Sequence, residues 1–300
     1  MSTVTGAIVV TGPIVVTGAT GKLGRLVIEA LIRRGIDPSQ IVAAGRSAER
    51  LDGLASRGLR VAKIDYADPE SLRSAFAGAD QVLLVSGPEL GQRVRLHGNA
   101  IDAARSAGVG RLAYTSIAHA ESSSLLLAQE HRGTEELLAA SGLPYVLLRN
   151  SWYVELYTEP LATTLANGVI VGSAGDGEVS AATRADYAEA AAAVQAAGGR
   201  ESATYELGGD EAFTLPEVAA EITVQSGTTV AYKDLPTADY QQALVGFGLP
   251  AELAAVLADA DRGLAAGDLR VDTGDLSRLI GRPTTTLAEA VAVGLKALRA

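Results

Sequence analysis

The sequence predicts an α/β fold in which helices cover a doubly wound parallel sheet, with a smaller C-terminal α/β lobe. Short aliphatic runs alternate with helical patterns through the first half of the 300-residue chain. Hydrophobic residues make up 48% of the chain and aromatic residues only 4%, so the core must be aliphatic. Strands buried on both faces of a parallel sheet have this composition. Regular alternation with short connections favours right-handed crossovers between such strands.

Six aliphatic runs predict the strands of this sheet, at residues 13–17, 40–44, 59–64, 81–86, 111–116 and 144–149. Helical periodicity predicts helices between them, over residues 22–34, 48–57, from about 69, 91–107 and 126–140. The sequence IVVTG occurs twice, at Ile8–Gly12 and Ile14–Gly18. We assign the first strand to the second copy, because only that copy is followed by ATGKLG.

The alternation stops after Arg149, which divides the chain into two predicted parts. Residues 13–150 form the sheet domain, and residues 151–300 form the smaller substrate lobe. A strand near 203–209 returns to the main sheet, and one further strand is predicted at 228–235. Open α/β sheets bind ligands at the carboxyl ends of their strands, so we expect the second lobe to cover that edge.

Composition excludes several classes of function. The formal net charge is −10 and no block of Lys or Arg stands out, which argues against a nucleic-acid partner. Cysteine is absent and the three histidines lack ligand spacing, so no metal site is predicted. No apolar run approaches the length of a membrane span, and the N-terminus has no targeting pattern. The expectation is a cytoplasmic monomer or homodimer.

A glycine-rich motif follows the first strand and opens the first helix. Its glycines, Gly18, Gly21 and Gly24, have the spacing GxxGxxG. The first glycine makes a tight turn, the second lets the backbone approach a pyrophosphate, and the third lets the helix pack closely on the sheet. A helix N-terminus also favours anions. This context predicts a Rossmann-type nicotinamide cofactor site formed by Gly18, Ala19, Thr20, Gly21, Lys22 and Leu23.

The end of the second strand bears on the choice of cofactor. NAD enzymes place a carboxylate there for the ribose hydroxyls, but this strand runs into Gly45-Arg46-Ser47. A guanidinium matches phosphate geometry, so Arg46 favours the 2′-phosphate of NADPH, with NAD(H) as the alternative. A solvated surface role for Arg46 stays open. Asp65, after the third strand, is expected at the adenine edge or as an N-cap of the next helix.

These residues, together with several later segments, resemble a known family. The segments are TGATGKLG (17–24), SGPELGQR (86–93), AYTSIAHA (113–120), LAQEHRGTE (127–135), LLRNSWYVE (147–155), AGDGEVSAATRADYA (174–188), YELGGD (205–210) and IGRPTTTLAEAV (280–291). The chain resembles the NmrA-like atypical short-chain dehydrogenases/reductases, and among them the bacterial type 2 NAD(P)H:quinone oxidoreductases. The similarity covers nearly the whole chain after residue 13.

The resemblance implies roles for further residues. It implies that Gly18 to Leu23 hold the pyrophosphate and that Arg46 holds the 2′-phosphate. Residues expected to border the ribose, the nicotinamide and the substrate are Ser86, Gly87, Pro88, Asn150, Ser151, Trp152 and Tyr153. Two positions depart from the family pattern: Gly87-Pro88 stands where those reductases resemble Ser-Ser, and Ser151 where they resemble Gly. A stiffer loop and a bulkier pocket residue would alter the choice of substrate.

The wider superfamily donates a proton from a Tyr-x-x-x-Lys pair, and this chain lacks it. Aligning the helix on Glu135 puts Leu127 at the Tyr position and His131 at the Lys position. A ketone reductase needs that proton donor, whereas reduction of a quinone gives a much less basic phenolate-type anion. The remaining candidates are Tyr114, Ser116 and His131 for catalysis, and Trp152, Tyr153 and His119 for the substrate. Structural roles for each of them stay open.

Three functions are compatible with this pattern. The first is an NAD(P)H-dependent oxidoreductase that reduces quinones by direct hydride transfer. The second is a tailoring enzyme, reductase or monooxygenase-like, acting on a polycyclic aromatic quinone. The third is a non-catalytic NAD(P)-sensing regulator, which the loss of the Tyr-Lys pair would permit.

Overall fold

Nine strands are present in the computed structural model, which describes residues 12–299. They are β1 (Ile14–Val16), β2 (Ile41–Gly45), β3 (Arg60–Lys63), β4 (Gln81–Leu84), β5 (Arg111–Ile117), β6 (Tyr145–Asn150), β7 (Val169–Gly172), β8 (Ala203–Leu207) and β9 (Ala231–Asp234). Seven of them form one parallel sheet in the order β3-β2-β1-β4-β5-β6-β8. The other two, β7 and β9, pair in parallel as a small second sheet.

The strand order reverses beside β1, which pairs with β2 on one side and β4 on the other. In this register Ile14 lies opposite both Ile41 and Gln81. The chain therefore leaves the centre of the sheet in two directions, and a crevice opens between the carboxyl ends of β1 and β4. This is the topological switch point at which open α/β sheets bind ligands.

Thirteen α-helices connect these strands within the described residues. They are α1 (Lys22–Arg33), α2 (Ala48–Ala55), α3 (Pro69–Phe76), α4 (Arg93–Ser106), α5 (Leu126–Ala140), α6 (Glu155–Thr158), α7 (Leu161–Asn167), α8 (Arg184–Ala197), α9 (Leu215–Ser226), α10 (Thr237–Gly246), α11 (Ala251–Ala265), α12 (Asp275–Ile280) and α13 (Leu287–Ala297). None of the helices in residues 12–299 is long and apolar enough to cross a membrane.

Alternate residues of the central strands of the main sheet serve two separate cores. Ile14 and Val16 pack under α1 and α8, whereas Val15 belongs to the core under α3 and α4. This period of two explains why the strands are aliphatic throughout, because both faces of the sheet are covered. A third core lies in the second lobe, where α9, α11 and α13 pack together with α6 and α7 around Val218, Leu264 and Val291.

The predicted fold class is confirmed, and so are the six predicted strands and the two later ones, each within about three residues at its ends. The first strand is built from the second IVVTG copy. The first copy lies outside the described residues, apart from Gly12. The predicted helix from residue 91 begins at Arg93, because Gly91 has a positive φ of 73° that a right-handed helix does not use.

Candidate active site

A cleft of about 510 Å³ lies at the switch point, bordered by the segments that follow β1, β2, β3 and β4. Ten of the predicted cofactor residues line it: Gly18, Thr20, Gly21, Lys22, Leu23, Arg46, Asp65, Ser86, Gly87 and Pro88. Ala19 is fully buried beneath the turn, where its backbone N–H donates to Ala44 at 3.0 Å. The sheet thus brings together residues that lie up to 70 positions apart in the chain.

The glycine turn has the geometry of a pyrophosphate cradle. Gly18 has φ +61°, a left-handed conformation that side chains disfavour. A Cβ on Gly24 would lie 2.3 Å from the carbonyl oxygen of Gly18, so α1 can pack this closely only because residue 24 has no side chain. The Gly21 N–H donates to the Gly18 carbonyl oxygen at 2.9 Å and closes the turn. The first N–H groups of α1 therefore face the cleft, as a bound anion requires.

Four cations line the cleft, and two of them were not predicted. Lys22 pairs with Glu159 of the second lobe at 2.7 Å, and Arg46 pairs with Glu89 at 2.7 Å. Arg50 and Arg95 are the two that sequence reasoning missed. Arg50 lies four residues after Arg46, in the first turn of α2. This spacing could have predicted that Arg50 lines the cleft. Nothing local indicated Arg95, because α4 reaches the cleft only through the tertiary fold.

The loop after β4 is held by side chains of α4 and β5. The N–H of Gly87 donates to Nε2 of His97 at 3.1 Å, and Nε of Arg93 donates to the Gly87 carbonyl at 3.0 Å. The N–H of Ser86 donates to Oγ1 of Thr115 at 2.9 Å. Burial, reinforced by Arg93, lowers the pKa of His97 to about 3. The imidazole is therefore neutral and accepts the Gly87 hydrogen bond at neutral pH.

Asp65 and Tyr66 form the wall of the cleft that follows β3. The Asp65 carboxylate accepts the Ala67 N–H at 2.8 Å, while Asp68 caps α3, so the N-cap alternative for Asp65 is wrong. The Tyr66 hydroxyl donates to the carbonyl oxygen of Val85 at 2.8 Å. The tyrosine ring therefore joins the segments after β3 and β4, and it was not among the predicted residues.

The three predicted catalytic side chains lie in the interior and do not line the cleft. The Tyr114 hydroxyl and Nδ1 of His131 are hydrogen-bonded at 2.7 Å, and Ser116 donates to Glu135 at 2.5 Å. Burial raises the pKa of Tyr114 well above its usual range and lowers the pKa of His131. Both groups are therefore neutral at pH 7. Glu135 in turn pairs with Arg149 at 2.6 Å.

The segment after β6 lies where the main sheet meets the second lobe. Oδ1 of Asn150 is buried and has no hydrogen-bond partner among the described residues. Ser151 donates to the carbonyl oxygen of Leu269 at 2.7 Å. Trp152 is half-buried against the second-lobe core, and the Arg184 guanidinium lies 5.0 Å from the centre of the Tyr153 ring. None of these four residues, 150–153, lines the described cleft.

His119, the third predicted substrate residue, is held by the second lobe. Its φ of 52° is positive, and its Nε2 donates to the carbonyl oxygen of Arg270 at 2.7 Å. The backbone N–H of His119 donates to Glu206 at 3.0 Å. These contacts engage one ring nitrogen and place the residue outside the cofactor cleft.

A second, smaller cavity of about 240 Å³ adjoins the loop that carries Pro88 and Glu89. Its wall is mostly apolar and consists of Leu90, Gly91, Leu126, Leu127, Glu130 and Val256. Leu127 is the residue aligned with the missing catalytic tyrosine. That position therefore contributes a hydrocarbon side chain to the wall of the cavity. Among residues 12–299, no group of three or more His, Asp or Glu is arranged to hold a metal ion.

The parallel sheet, the glycine cradle and the cationic cleft together define a dinucleotide-binding protein of the Rossmann class. A family model described as NAD(P)H-binding matches residues 18–197, and the chain belongs to that family. The sequence is 50% identical to quinone oxidoreductase 2 of Escherichia coli over 91% of this chain and 96% of that protein. The predicted resemblance is therefore confirmed.

Solved structures agree with this assignment. The crystal structure of the NADPH-dependent quinone oxidoreductase of Escherichia coli, complexed with NADPH, superposes with a TM-score of 0.90 and covers 93% of this chain and 99% of that one, at 50% identity. The Citrobacter sp. triphenylmethane reductase complexed with NADP(H) has a TM-score of 0.89 at 37% identity, covering 94% and 99%.

Proposed function

We propose that this protein is an NADPH-dependent reductase of quinones. The observation that carries the proposal is the 50% identity, over 91% of the chain, to a quinone oxidoreductase. The same relative binds NADPH in its crystal structure. The cleft of this chain supports the same cofactor, because it combines a glycine turn with cationic side chains at the positions that a phosphorylated dinucleotide requires.

In this proposal, different residues of the cleft bind different parts of the cofactor. The turn from Gly18 to Leu23 holds the pyrophosphate, and Arg46 holds the 2′-phosphate as a charge-assisted donor. Asp65 and Tyr66 flank the adenine. Ser86 and Gly87, which α4 and β5 hold in place, position the ribose next to the nicotinamide. The unpartnered Oδ1 of Asn150 is an acceptor suited to the nicotinamide amide group.

When bound, the reduced nicotinamide supplies a hydride to the acceptor. The chain presents Leu127 instead of a tyrosine beside the adjoining cavity, so position 127 offers no hydroxyl there to protonate an alkoxide. His131, at the lysine position, is buried and neutral and serves to hold Tyr114. A quinone suits such a site, since the phenolate-type anion formed from it takes its proton from water. We propose supporting roles for Tyr114, Ser116 and His131 in place of direct catalysis.

The mostly apolar cavity beside Leu127 is the proposed position of the acceptor. Leu126, Leu127 and Val256 supply apolar contacts to a flat ring, and Trp152 lies near the same junction of the two lobes. Small-molecule sites typically combine such walls with a few polar groups. Glu130 is the charged side chain at this cavity, and it forms an ion pair with the buried Arg93 at 3.2 Å.

The test is oxidation of NADPH by the purified protein with benzoquinone, naphthoquinone and a polycyclic quinone, followed at the nicotinamide absorbance. We expect turnover with at least the two smaller quinones and none without an acceptor. Cofactor binding without oxidation by any quinone would overturn the proposal and favour the sensing alternative. Preference for the polycyclic quinone alone would favour the tailoring alternative.

The same assay tests Arg46. Loss of a charge-assisted contact costs about 1.5–3 kcal/mol, so Arg46→Ala is expected to raise the KM for NADPH by about tenfold or more. Arg60→Ala is the matched control, because Arg60 is an exposed arginine on β3 outside the cleft. An equal effect of the two substitutions would contradict the proposed role of Arg46.

A further inference from the structure

An ion pair crosses the cofactor cleft between two segments that are far apart in sequence. Nη1 of Arg46, after β2, lies 2.7 Å from Oε1 of Glu89, on the loop after β4. Both side chains line the cleft. The guanidinium is 66% exposed, whereas the carboxylate is only 26% exposed. The carboxylate is thus the better-enclosed partner, and it occupies the guanidinium that the proposed function assigns to the 2′-phosphate.

The position of Glu89 depends on the anchored loop before it. Both backbone polar groups of Gly87 are held by α4, through His97 and Arg93. A Cβ on Gly87 would lie 2.5 Å from Oε2 of Glu89, so the missing side chain at residue 87 leaves the space that the carboxylate uses. This glycine is one of the two positions at which the chain departs from the pattern of the family it resembles.

The chemistry of the pair bears on both forms of the cofactor. A carboxylate and a phosphate compete for one guanidinium, because both bind it through charge-assisted hydrogen bonds. A carboxylate at this place in the fold also accepts hydrogen bonds from the ribose hydroxyls of a cofactor without the phosphate. The second strand carries no such acid at its end, but the fold brings Glu89 from another loop into contact with Arg46, the residue that follows this strand, and both line the cleft.

We propose that Glu89 is a cofactor-specificity residue whose carboxylate competes with the 2′-phosphate for Arg46 and so lowers the preference for NADPH over NADH. With the phosphorylated cofactor, Glu89 must leave Arg46. With the unphosphorylated cofactor, the ion pair persists and the carboxylate faces the ribose. The inference rests on the proposed role of Arg46.

The test measures binding without turnover. Dissociation constants of adenosine 2′,5′-bisphosphate and of 5′-AMP are determined by calorimetry at low salt, and those of NADPH and NADH by fluorescence. Because the Arg46 guanidinium is largely exposed, removal of its competing carboxylate is worth up to about 1 kcal/mol, so Glu89→Gln should tighten binding of the two 2′-phosphorylated ligands by about three- to fivefold. Binding of 5′-AMP and NADH should stay the same or weaken.

Two further variants make the result specific. Glu49→Gln removes an exposed carboxylate from the first turn of α2 that forms no ion pair with Arg46. This variant should leave the ratio of the affinities for the phosphorylated and unphosphorylated ligands unchanged. Gly87→Ala puts a methyl group where the carboxylate lies, and should move the ratio in the same direction as Glu89→Gln. High salt should reduce these differences.

The outcomes separate the inference from the function on which it rests. If Glu89→Gln leaves the ratio unchanged or lowers it, while Arg46→Ala selectively weakens the phosphorylated ligands, the inference about Glu89 is overturned and the role of Arg46 stands. If Arg46→Ala weakens both kinds of ligand equally, the role of Arg46 fails as well. Neither result depends on whether a quinone is the acceptor.

Discussion

Gly24 shows how one hydrogen atom in place of a side chain sets the distance between a helix and a sheet. A Cβ at this position would meet backbone atoms of Gly18 at 2.3 and 2.7 Å, and backbone cannot move aside as a side chain tip can. We expect Gly24→Ala to lower the free energy of unfolding by about 1–3 kcal/mol. We also expect it to weaken NADPH binding more than tenfold, because α1 must shift away from the turn.

Gly53→Ala is the matched control for this prediction. Gly53 lies within α2, and a Cβ there would have no neighbour within 4 Å. Alanine is about 1 kcal/mol better than glycine inside a helix, so this substitution should be neutral or stabilising. Urea unfolding and fluorescence titration measure both effects. Equal stability of the two variants would show that α1 tolerates the shift.

Among single residues, the sequence predicted those site residues whose chemistry depends on neighbours close to them along the chain. The glycine spacing and Arg46 follow directly from a strand, a turn and a helix start. Glu89 and Tyr66 were missed because their roles depend on contacts between residues 19 or more positions apart in the chain. Tyr114 was placed at the end of a strand, but one sequence does not show which face of the sheet that side chain occupies. The structure buries it under α4 and α5.

The helix α4 holds the loop after β4 through His97, and this contact makes stability depend on pH. The pKa of His97 is about 3 in the folded protein and about 6.5 when exposed. Between these values the unfolded chain binds more protons than the folded one. The contribution of His97 to the free energy of unfolding is therefore fully present above about pH 6.5 and is lost as the pH falls toward 3. His131 acts in the same direction.

We expect His97→Gln to reduce this acid sensitivity. As the pH falls below the pKa of an exposed histidine, one buried neutral histidine lowers the free energy of unfolding by about 1.4 kcal/mol per pH unit. Between pH 7 and pH 5 this loss is about 2 kcal/mol. Glutamine can still accept the Gly87 hydrogen bond but does not titrate. Urea unfolding at pH 7 and at pH 5 should show a smaller loss for the variant than for the wild type. The same loss in both proteins would mean that His97 is protonated without cost.

Among the elements, β7 and α8 are two that the sequence did not predict. The strand β7 has four residues, three of them only partly buried, and it pairs only with β9. Its pattern therefore lacks the alternation on which a strand prediction depends. The helix α8 is rich in alanine and buried on most sides, so its residues show no apolar stripe. Elements with a strong period, such as α1 and β5, were predicted almost to the residue.

For the whole molecule, an ionic cluster centred on the buried Arg149 joins four separate segments at the edge of the sheet. Arg149 of β6 contacts Glu135 of α5 at 2.6 Å, Glu206 of β8 at 3.0 Å and Glu121 at 2.8 Å. Burial alone would lower the pKa of Arg149, but its hydrogen bonds to these three carboxylates outweigh burial and raise the pKa. Arg149 therefore stays charged and compensates Glu135, which is itself buried.

Arg149→Met should lower the free energy of unfolding by about 3–5 kcal/mol, since it leaves a buried carboxylate without its partner. Combining it with Glu135→Met should recover part of that loss, because the most deeply buried of the carboxylates that lose Arg149 is then removed as well. The control is Arg105→Met, which removes one exposed partner of the pair with Asp102 and should cost less than about 0.5 kcal/mol. A double variant less stable than the single one would contradict this explanation.

The seventh strand of the main sheet arrives late in the chain. Between β6 and α8 the chain makes an excursion that contains α6, α7 and β7, after which α8 packs against α1 and β8 pairs with β6. We expect changes in the length or sequence of that excursion to leave the register of the main sheet unchanged, because its one strand, β7, pairs with β9. In evolutionary terms, the lobe that would receive the acceptor can diversify while the cofactor cleft is inherited intact, so new acceptors are accessible without rebuilding the dinucleotide site.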